Sequence, residues 1–214
     1  MKIKTFTVNP FQMNSYIYYC EHTLEGVLID PGYHSNHEKE MFLKYIHDNK
    51  INIKYILLTH GHVDHVLGNG FATKVLGVDS FIHKDDQFLY DNAKAQGEIY
   101  GIQFENLPVV NNFITEETII KIGNNVLNFI HTPGHSPGGV CIIDDKEKVV
   151  FCGDVIFQLS IGRTDLPGGD YHTLLHSIKS KLFEACSDEY ELYPGHMGKT
   201  TIGEEKKLNP FLQN

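Results

Sequence analysis

Apolar positions fall along the chain in short alternating or continuous runs, most of them ended by Gly, Pro, Asn or Asp. Runs of that length and period argue for strands. Strands are thus predicted at residues 3–8, 15–20 and 26–29, the last closed by Asp30-Pro31-Gly32. Ser35 followed three residues later by Glu38 marks a capping box, and Phe42, Tyr45 and Ile46 form an apolar stripe at helical spacing, which predicts a helix over 35–49. A strand over 54–58 follows, then a helix from Val63 or His65 to Leu76, a strand over 80–83 and a helix across 84–95. The second half has the same style without a sequence repeat: strands at 118–122, 126–131, 139–144 and 148–152, a helix over 171–181 and a last strand at 189–193. Strands before helices in two successive halves suit two sheets packed face to face with helices outside.

Composition narrows the setting. A chain of 214 residues with no low-complexity linker is expected to form one domain spanning residues 1–214. A formal charge of −9 leaves no basic stripe for a phosphate backbone, so nucleic acid is not an expected partner. There is no charged-then-apolar leader and no apolar run near the ~18 residues of a membrane span, so a soluble, cytoplasmic protein with no membrane partner is expected. Cys20, Cys141, Cys152 and Cys186 show no close pairing, and all but Cys186 sit in segments that read as buried strands. They read as reduced core residues, including Cys152, two positions before Asp154.

The candidate chemistry lies straight after the apolar Tyr55-Ile56-Leu57-Leu58, in Thr59-His60-Gly61-His62-Val63-Asp64-His65. With 13 histidines in the chain, a lone one such as His22, His34, His37 or His47 reads as a surface or hydrogen-bonded group. Four metal-capable side chains within six residues are harder to read that way, because imidazole nitrogens and carboxylate oxygens bind divalent ions and one turn can serve parts of two coordination spheres. Three further segments follow the same design of strand, turn and donor: His135 in a Gly- and Pro-rich turn, Asp154 after Val149-Val150-Phe151-Cys152-Gly153, and His196 after Glu191-Leu192-Tyr193-Pro194-Gly195.

On these residues the chain resembles the metallo-β-lactamase superfamily, and within it the glyoxalase II-like hydrolases. Leu28-Ile29-Asp30-Pro31-Gly32 and Gly162-Arg163-Thr164-Asp165-Leu166-Pro167-Gly168-Gly169-Asp170 extend the likeness, and Thr200-Thr201-Ile202-Gly203-Glu204-Glu205 with Asn209-Pro210-Phe211-Leu212 resembles a short bacterial subgroup. The resemblance implies a four-layer αββα sandwich. It implies that His60, His62 and His135 hold one metal, that Asp64, His65 and His196 hold a second, and that Asp154 bridges them. Zinc is the first expectation for the two ions, with iron or manganese also compatible with mixed imidazole and carboxylate donors. Full-length glyoxalase II enzymes continue past the last histidine into a helical domain with basic contacts to glutathione, whereas only 18 residues follow His196 in this sequence.

The activity implied is hydrolysis of a small-molecule acyl thioester of the hydroxyacylglutathione type by a metal-activated hydroxide, with Asp64 and Asp154 as the catalytic carboxylates. A persulfide dioxygenase using one iron on His60, His135 and Asp154, and a lactonase, are the alternatives within the superfamily; retention of the second donor set leans against the dioxygenase. A metal-stabilised binding module is the alternative outside catalysis. Arg163 matches a Gly-Lys position of glyoxalase II that contacts substrate, with a pair to Asp165 or Asp170 as the structural alternative. Asp30 is the candidate partner for a ligating imidazole, with a plain turn role as the even alternative.

Overall fold

The computed structural model describes residues 1–213 and holds two six-stranded sheets. In the first, β1 (Lys2–Val8), β2 (Met13–Tyr19) and β3 (Glu25–Ile29) form an antiparallel meander. β4 (Asn52–Leu57), β5 (Ser80–His83) and β6 (Asn112–Ile114) then add in parallel, so strand order follows chain order. In the second, β7 (Ile120–Ile122), β8 (Asn125–His131), β9 (Val140–Asp144) and β10 (Val149–Gly153) form another antiparallel meander. A small hairpin of β11 (Ile156–Phe157) and β12 (Ser160–Ile161) stands apart, after which β13 (Glu191–Pro194) pairs parallel with β10 and β14 (Thr200–Thr201) completes the sheet.

The helices of the first half are α1 (Asn36–Asn49), α2 (Val63–Val66), α3 (Asn69–Leu76), α4 (Gln87–Asp91) and α5 (Ala93–Ile99). Those of the second are α6 (Tyr171–His176), which runs on through a wider turn at Ser177–Leu182 into α7 (Phe183–Ala185), and α8 (Ile202–Leu208). Ser35 and Glu38 form both halves of the capping box that starts α1.

Alternation along the strands sorts side chains into three apolar layers, which is the αββα sandwich. On β2, Met13, Ile17 and Tyr19 pack under the first-half helices with Phe42 and Tyr33, while Tyr16 and Tyr18 point between the sheets. On β10, Val149 and Phe151 join the inter-sheet layer, while Val150 and Cys152 face Leu174, Ile178 and Leu182 of the second-half helices. All four cysteines are free and buried, Cys186 among them. Among the described residues no helix is long and apolar enough to cross a membrane.

Two expected helices break, and several short elements were not expected. The helix expected to run to Leu76 breaks between α2 and α3, because Gly68 donates its N–H to Pro31 O at 2.7 Å and a Cβ at that position would press on Pro31 and Tyr33. The helix expected across 84–95 starts as a 3-10 turn and breaks at Asn92, whose side-chain amide takes the Phe88 carbonyl at 2.7 Å. β6, the β11–β12 hairpin, β14 and α8 carry too short or too mixed a pattern to stand out in the sequence.

Phe151 holds the sheets together, its ring lying 5.2, 5.3 and 5.5 Å from those of Tyr16, Tyr18 and Tyr193. Phe151→Ala is expected to cost about 3–5 kcal/mol, read as a lower urea midpoint at unchanged slope. A loss under about 1 kcal/mol contradicts this view of the inter-sheet layer.

Candidate metal centre

Each candidate donor sits where a strand ends at one edge of the sandwich. β4 delivers the turn bearing His60, His62, Asp64 and His65, β8 leads into the turn bearing His135, and β10 and β13 end just before Asp154 and His196. Small residues make the convergence possible. A Cβ at Gly195 would collide with Asp154 Oδ1 and the His65 ring, and Gly153, at φ +47°, backs onto Thr59. The His196 turn is tied across the sandwich by Asn14, whose N–H donates to Gly195 O at 2.7 Å and whose side-chain amide donates to Pro194 O at 3.2 Å and Met197 O at 2.8 Å.

The structure gathers all seven candidate donors. Two triads, His60-His62-His135 and Asp64-His65-His196, each place one donor atom per residue within 4.8 Å of the others. In the first, His135 Nε2 lies 2.8 Å from His62 Nδ1 and 3.3 Å from His60 Nε2. Tetrahedral donors at about 2.0–2.1 Å from one ion stand about 3.3 Å apart, so this spacing suits a shared cation. In the second, His196 Nε2 is 3.1 Å and His65 Nε2 is 3.7 Å from Asp64 Oδ2. Asp154 touches both: its Oδ1 lies 3.2 Å from His65 Nε2, and its Oδ2 lies 3.6 Å from His135 Nε2 and 3.5 Å from His196 Nε2.

Hydrogen bonds on the outer side of the rings decide where the protons sit. Asp30, held at φ +49° at the end of β3, accepts from Thr59 N at 2.7 Å and from Thr59 Oγ1 at 2.6 Å. Its Oδ2 also accepts from His65 Nδ1 at 2.9 Å. Since the Thr59 hydroxyl proton goes to Asp30, His60 Nδ1 donates to Thr59 Oγ1 at 3.1 Å. His135 Nδ1 donates to Arg163 O at 2.8 Å. These bonds fix a proton on Nδ1 of His60, His65 and His135, so that each ring, when neutral, turns a bare Nε2 inward, the arrangement in which outer partners orient metal-binding imidazoles.

Charge follows the same division. Burial, with the neighbouring His65 and His135, keeps His60 far below the usual histidine pKa, and burial with His135 lowers His62 to about 3. Burial opposes charge on His65 too, but the carboxylates of Asp154, Asp64 and Asp30 overcome it and hold the pKa high. Burial would raise the Asp154 pKa, yet His65 brings it well down. His62 Nε2, His65 Nε2 and Asp154 Oδ1 are buried and make no hydrogen bond. A buried carboxylate oxygen with no hydrogen bond, set among imidazoles that bind a cation in their neutral form, is what a divalent ion satisfies, so the residues fit a metal centre.

Asp86 is a member of the site that the sequence did not single out. It is fully buried, accepts from Gly61 N at 2.8 Å and Ser136 Oγ at 2.8 Å, and also accepts from Gly138 N. One carboxylate thus clamps the His60–His65 turn to the His135 turn. Its only sequence signal is an acidic residue just past β5, which reads as an ordinary helix start. Arg163 lies on the rim with its guanidinium bound to Asp165 by Nε and Nη2, each at 2.7 Å.

A further trio, His83-Asp85-His131, lies outside this centre. The two rings are stacked at 4.1 Å and 12°, and His131 Nε2 donates to Pro137 O at 2.8 Å. Parallel rings do not aim their lone pairs at one point. Five of the seven donors, His62, Asp64, His135, Asp154 and His196, instead line a cleft of about 490 Å³ walled by Phe11, Tyr100, Phe157, Ile161, Leu166 and Met197.

The family model for the metallo-beta-lactamase superfamily matches residues 8–196. The chain belongs to this superfamily. It is 36% identical over 220 residues to the hydroxyacylglutathione hydrolase GloC of Haemophilus influenzae, covering 100% of this chain and 99% of that protein. Among solved structures it is similar to the B3 metallo-beta-lactamase BLEG-1, with a TM-score of 0.90, 33% identity and 100% of both chains covered. It is also similar to TTHA1623, crystallised in a di-iron-bound form, with a TM-score of 0.87, 33% identity and coverage of 98% of this chain and 100% of that one. Membership supports a metal-dependent hydrolase and accounts for the mixed sandwich with its donors along one edge.

Asp30→Asn and Asp86→Asn each put an amide N–H where a donor now points in. Each is expected to weaken affinity for a divalent ion by about 10- to 100-fold in chelator competition. Wild-type affinity in both variants contradicts the assigned hydrogen-bond pattern.

Proposed function

We propose that this chain is a thioester hydrolase of the hydroxyacylglutathione hydrolase type, working with two divalent ions, zinc in the first instance. The observation that carries the reading is the pair of donor triads joined through Asp154, five of whose seven members line an open cleft. Full-length similarity to the Haemophilus hydrolase supports the substrate class, and the di-iron-bound relative supports two ions while keeping iron beside zinc. His60, His62 and His135 would hold one ion, Asp64, His65 and His196 the other, with Asp154 shared. Ions held there would bring water toward ionisation at neutral pH and polarise an acyl carbonyl.

The chain's own groups do the rest. Asp64 and Asp154 stay ionised beside His65 and are available to orient an attacking water. Asp30, Thr59 and the Arg163 carbonyl lock three imidazole tautomers, so the site needs no reorganisation as charge develops. Cys152 is buried among apolar groups with its thiol pKa pushed well up by burial, which leaves it unsuited to nucleophilic attack. The complete second triad disfavours a mononuclear dioxygenase, which needs only His60, His135 and Asp154.

With S-lactoylglutathione as substrate and thiol release as the readout, His62→Ala and Asp154→Ala are expected to lose at least about 100-fold in rate while far-UV circular dichroism is unchanged. Undiminished turnover in either variant, or in wild-type protein stripped by a chelator, sinks the two-ion reading.

A further inference from the structure

The β11–β12 hairpin grows out of the metal centre. Asp154 lies two residues before β11, and β12 is followed by Gly162, where a Cβ would strike Asp154 O, and by Arg163, whose carbonyl takes the His135 N–H. Between these roots Phe157, Ser160 and Ile161 form one wall of the cleft, with the Phe157 ring 6.0 Å from that of His196. The ladder behind this wall pairs only Ile156 with Ile161 and Phe157 with Ser160, and so short a hairpin does not hold its shape unaided. Its tip is strained as well, because Leu159 is exposed and sits in the left-handed region at φ +57°.

Support comes from the segment after β14. Glu205 on α8 is fully buried, and its carboxylate accepts from Leu159 N at 2.9 Å, from the Asn209 amide at 2.8 Å and from Thr200 Oγ1 at 2.6 Å. The same Asn209 amide donates to Ser160 O at 2.8 Å, and its oxygen accepts from Phe211 N at 3.1 Å. Burying a carboxylate is costly unless hydrogen bonds satisfy it, and the hairpin tip supplies one of those bonds. Neither side chain lines the cleft.

We propose that Glu205 and Asn209 are positioning residues for the substrate: by tying the hairpin tip to α8 they hold Phe157, Ser160 and Ile161 in the arrangement that receives the acyl thioester. They set substrate affinity without touching substrate or metal. The inference rests on the thioesterase reading and assigns how one wall of its cleft is held. The hairpin roots are fastened separately, His135 to Arg163 O at 2.8 Å and Gly162 N to Val155 O at 3.4 Å, so freeing the tip leaves the donors in place.

The test replaces Glu205 and Asn209 singly by Ala and works below the unfolding midpoint of each variant. Thiol release from S-lactoylglutathione gives KM and kcat, calorimetry with S-propylglutathione, a thioether that cannot be hydrolysed, gives Kd, and chelator competition gives zinc affinity. Both variants are expected to raise KM and Kd by about 5- to 50-fold, the range for two or three wall side chains that must be ordered on binding, with kcat changed less and zinc affinity at the wild-type level. Glu205→Gln is expected to stay within about twofold of wild type, since its amide oxygen can accept from Leu159 N and Asn209 while its N–H donates to Thr200 Oγ1. A loss of stability alone does not move KM in protein that stays folded through the assay. Should Glu205→Ala fail to fold, Asn209→Ala, which keeps the Glu205 bonds to Leu159 and Thr200, carries the test. Unchanged KM and Kd in folded Ala protein, or zinc affinity falling in step with activity, overturns this inference and leaves the thioesterase standing. No thiol release by metal-loaded wild-type protein overturns both.

Discussion

The structure depends on keeping lone pairs and carboxylate oxygens together where water cannot serve them. Burial penalises a protonated His60 or His62, and mutual repulsion among the imidazoles adds to it, so their inward nitrogens stay bare. The carboxylates of Asp64 and Asp154 remain ionised in the same space because His65 lies against them. Such a set is costly without a cation and well satisfied with one, which ties metal affinity directly to the way the chain folds.

The sandwich supplies the geometry that this clustering needs. β3 and β4 end side by side, so Asp30 reaches both Thr59 and His65. β10 and β13 end side by side on the other sheet, so Asp154 and His196 meet with Gly195 between them. Asn14 then pins the His196 turn to β2, and Tyr16 Oη donates to Pro194 O at 2.6 Å, which sets the spacing between halves of a site drawn from two sheets. Asp86 does the same work between the turns of His60–His65 and His135. A substitution far from the donors along the chain can therefore loosen the centre without touching a donor.

Much of this was legible in the sequence because it is local. Strands with period 2, the Ser35–Glu38 cap and the crowded His60–His65 turn lie within a few residues of one another, and sequence spacing reports such features directly. The resemblance to a known family supplied the division of the donors into two sets, which spacing alone left open; the structure brings the same residues together in overlapping triads, His60-His65-Asp154 among them. What stayed hidden is non-local. Asp86 meets its partners 25, 50 and 52 residues away in sequence, and the break at Gly68 exists because Pro31 takes its N–H. The two readings of Arg163 turned on a neighbour two positions on, and only coordinates show Asp165 holding its guanidinium while its carbonyl takes the His135 N–H.

The central claim is that the seven donors form one centre for two ions. Elemental analysis of anaerobically purified protein, paired with titration of the metal-free chain against zinc, tests it most directly. The account predicts about two divalent ions per chain in both experiments, and a stoichiometry near one when Asp64 is replaced by Ala. One ion per chain in the wild type, unchanged by loss of Asp64, would contradict it.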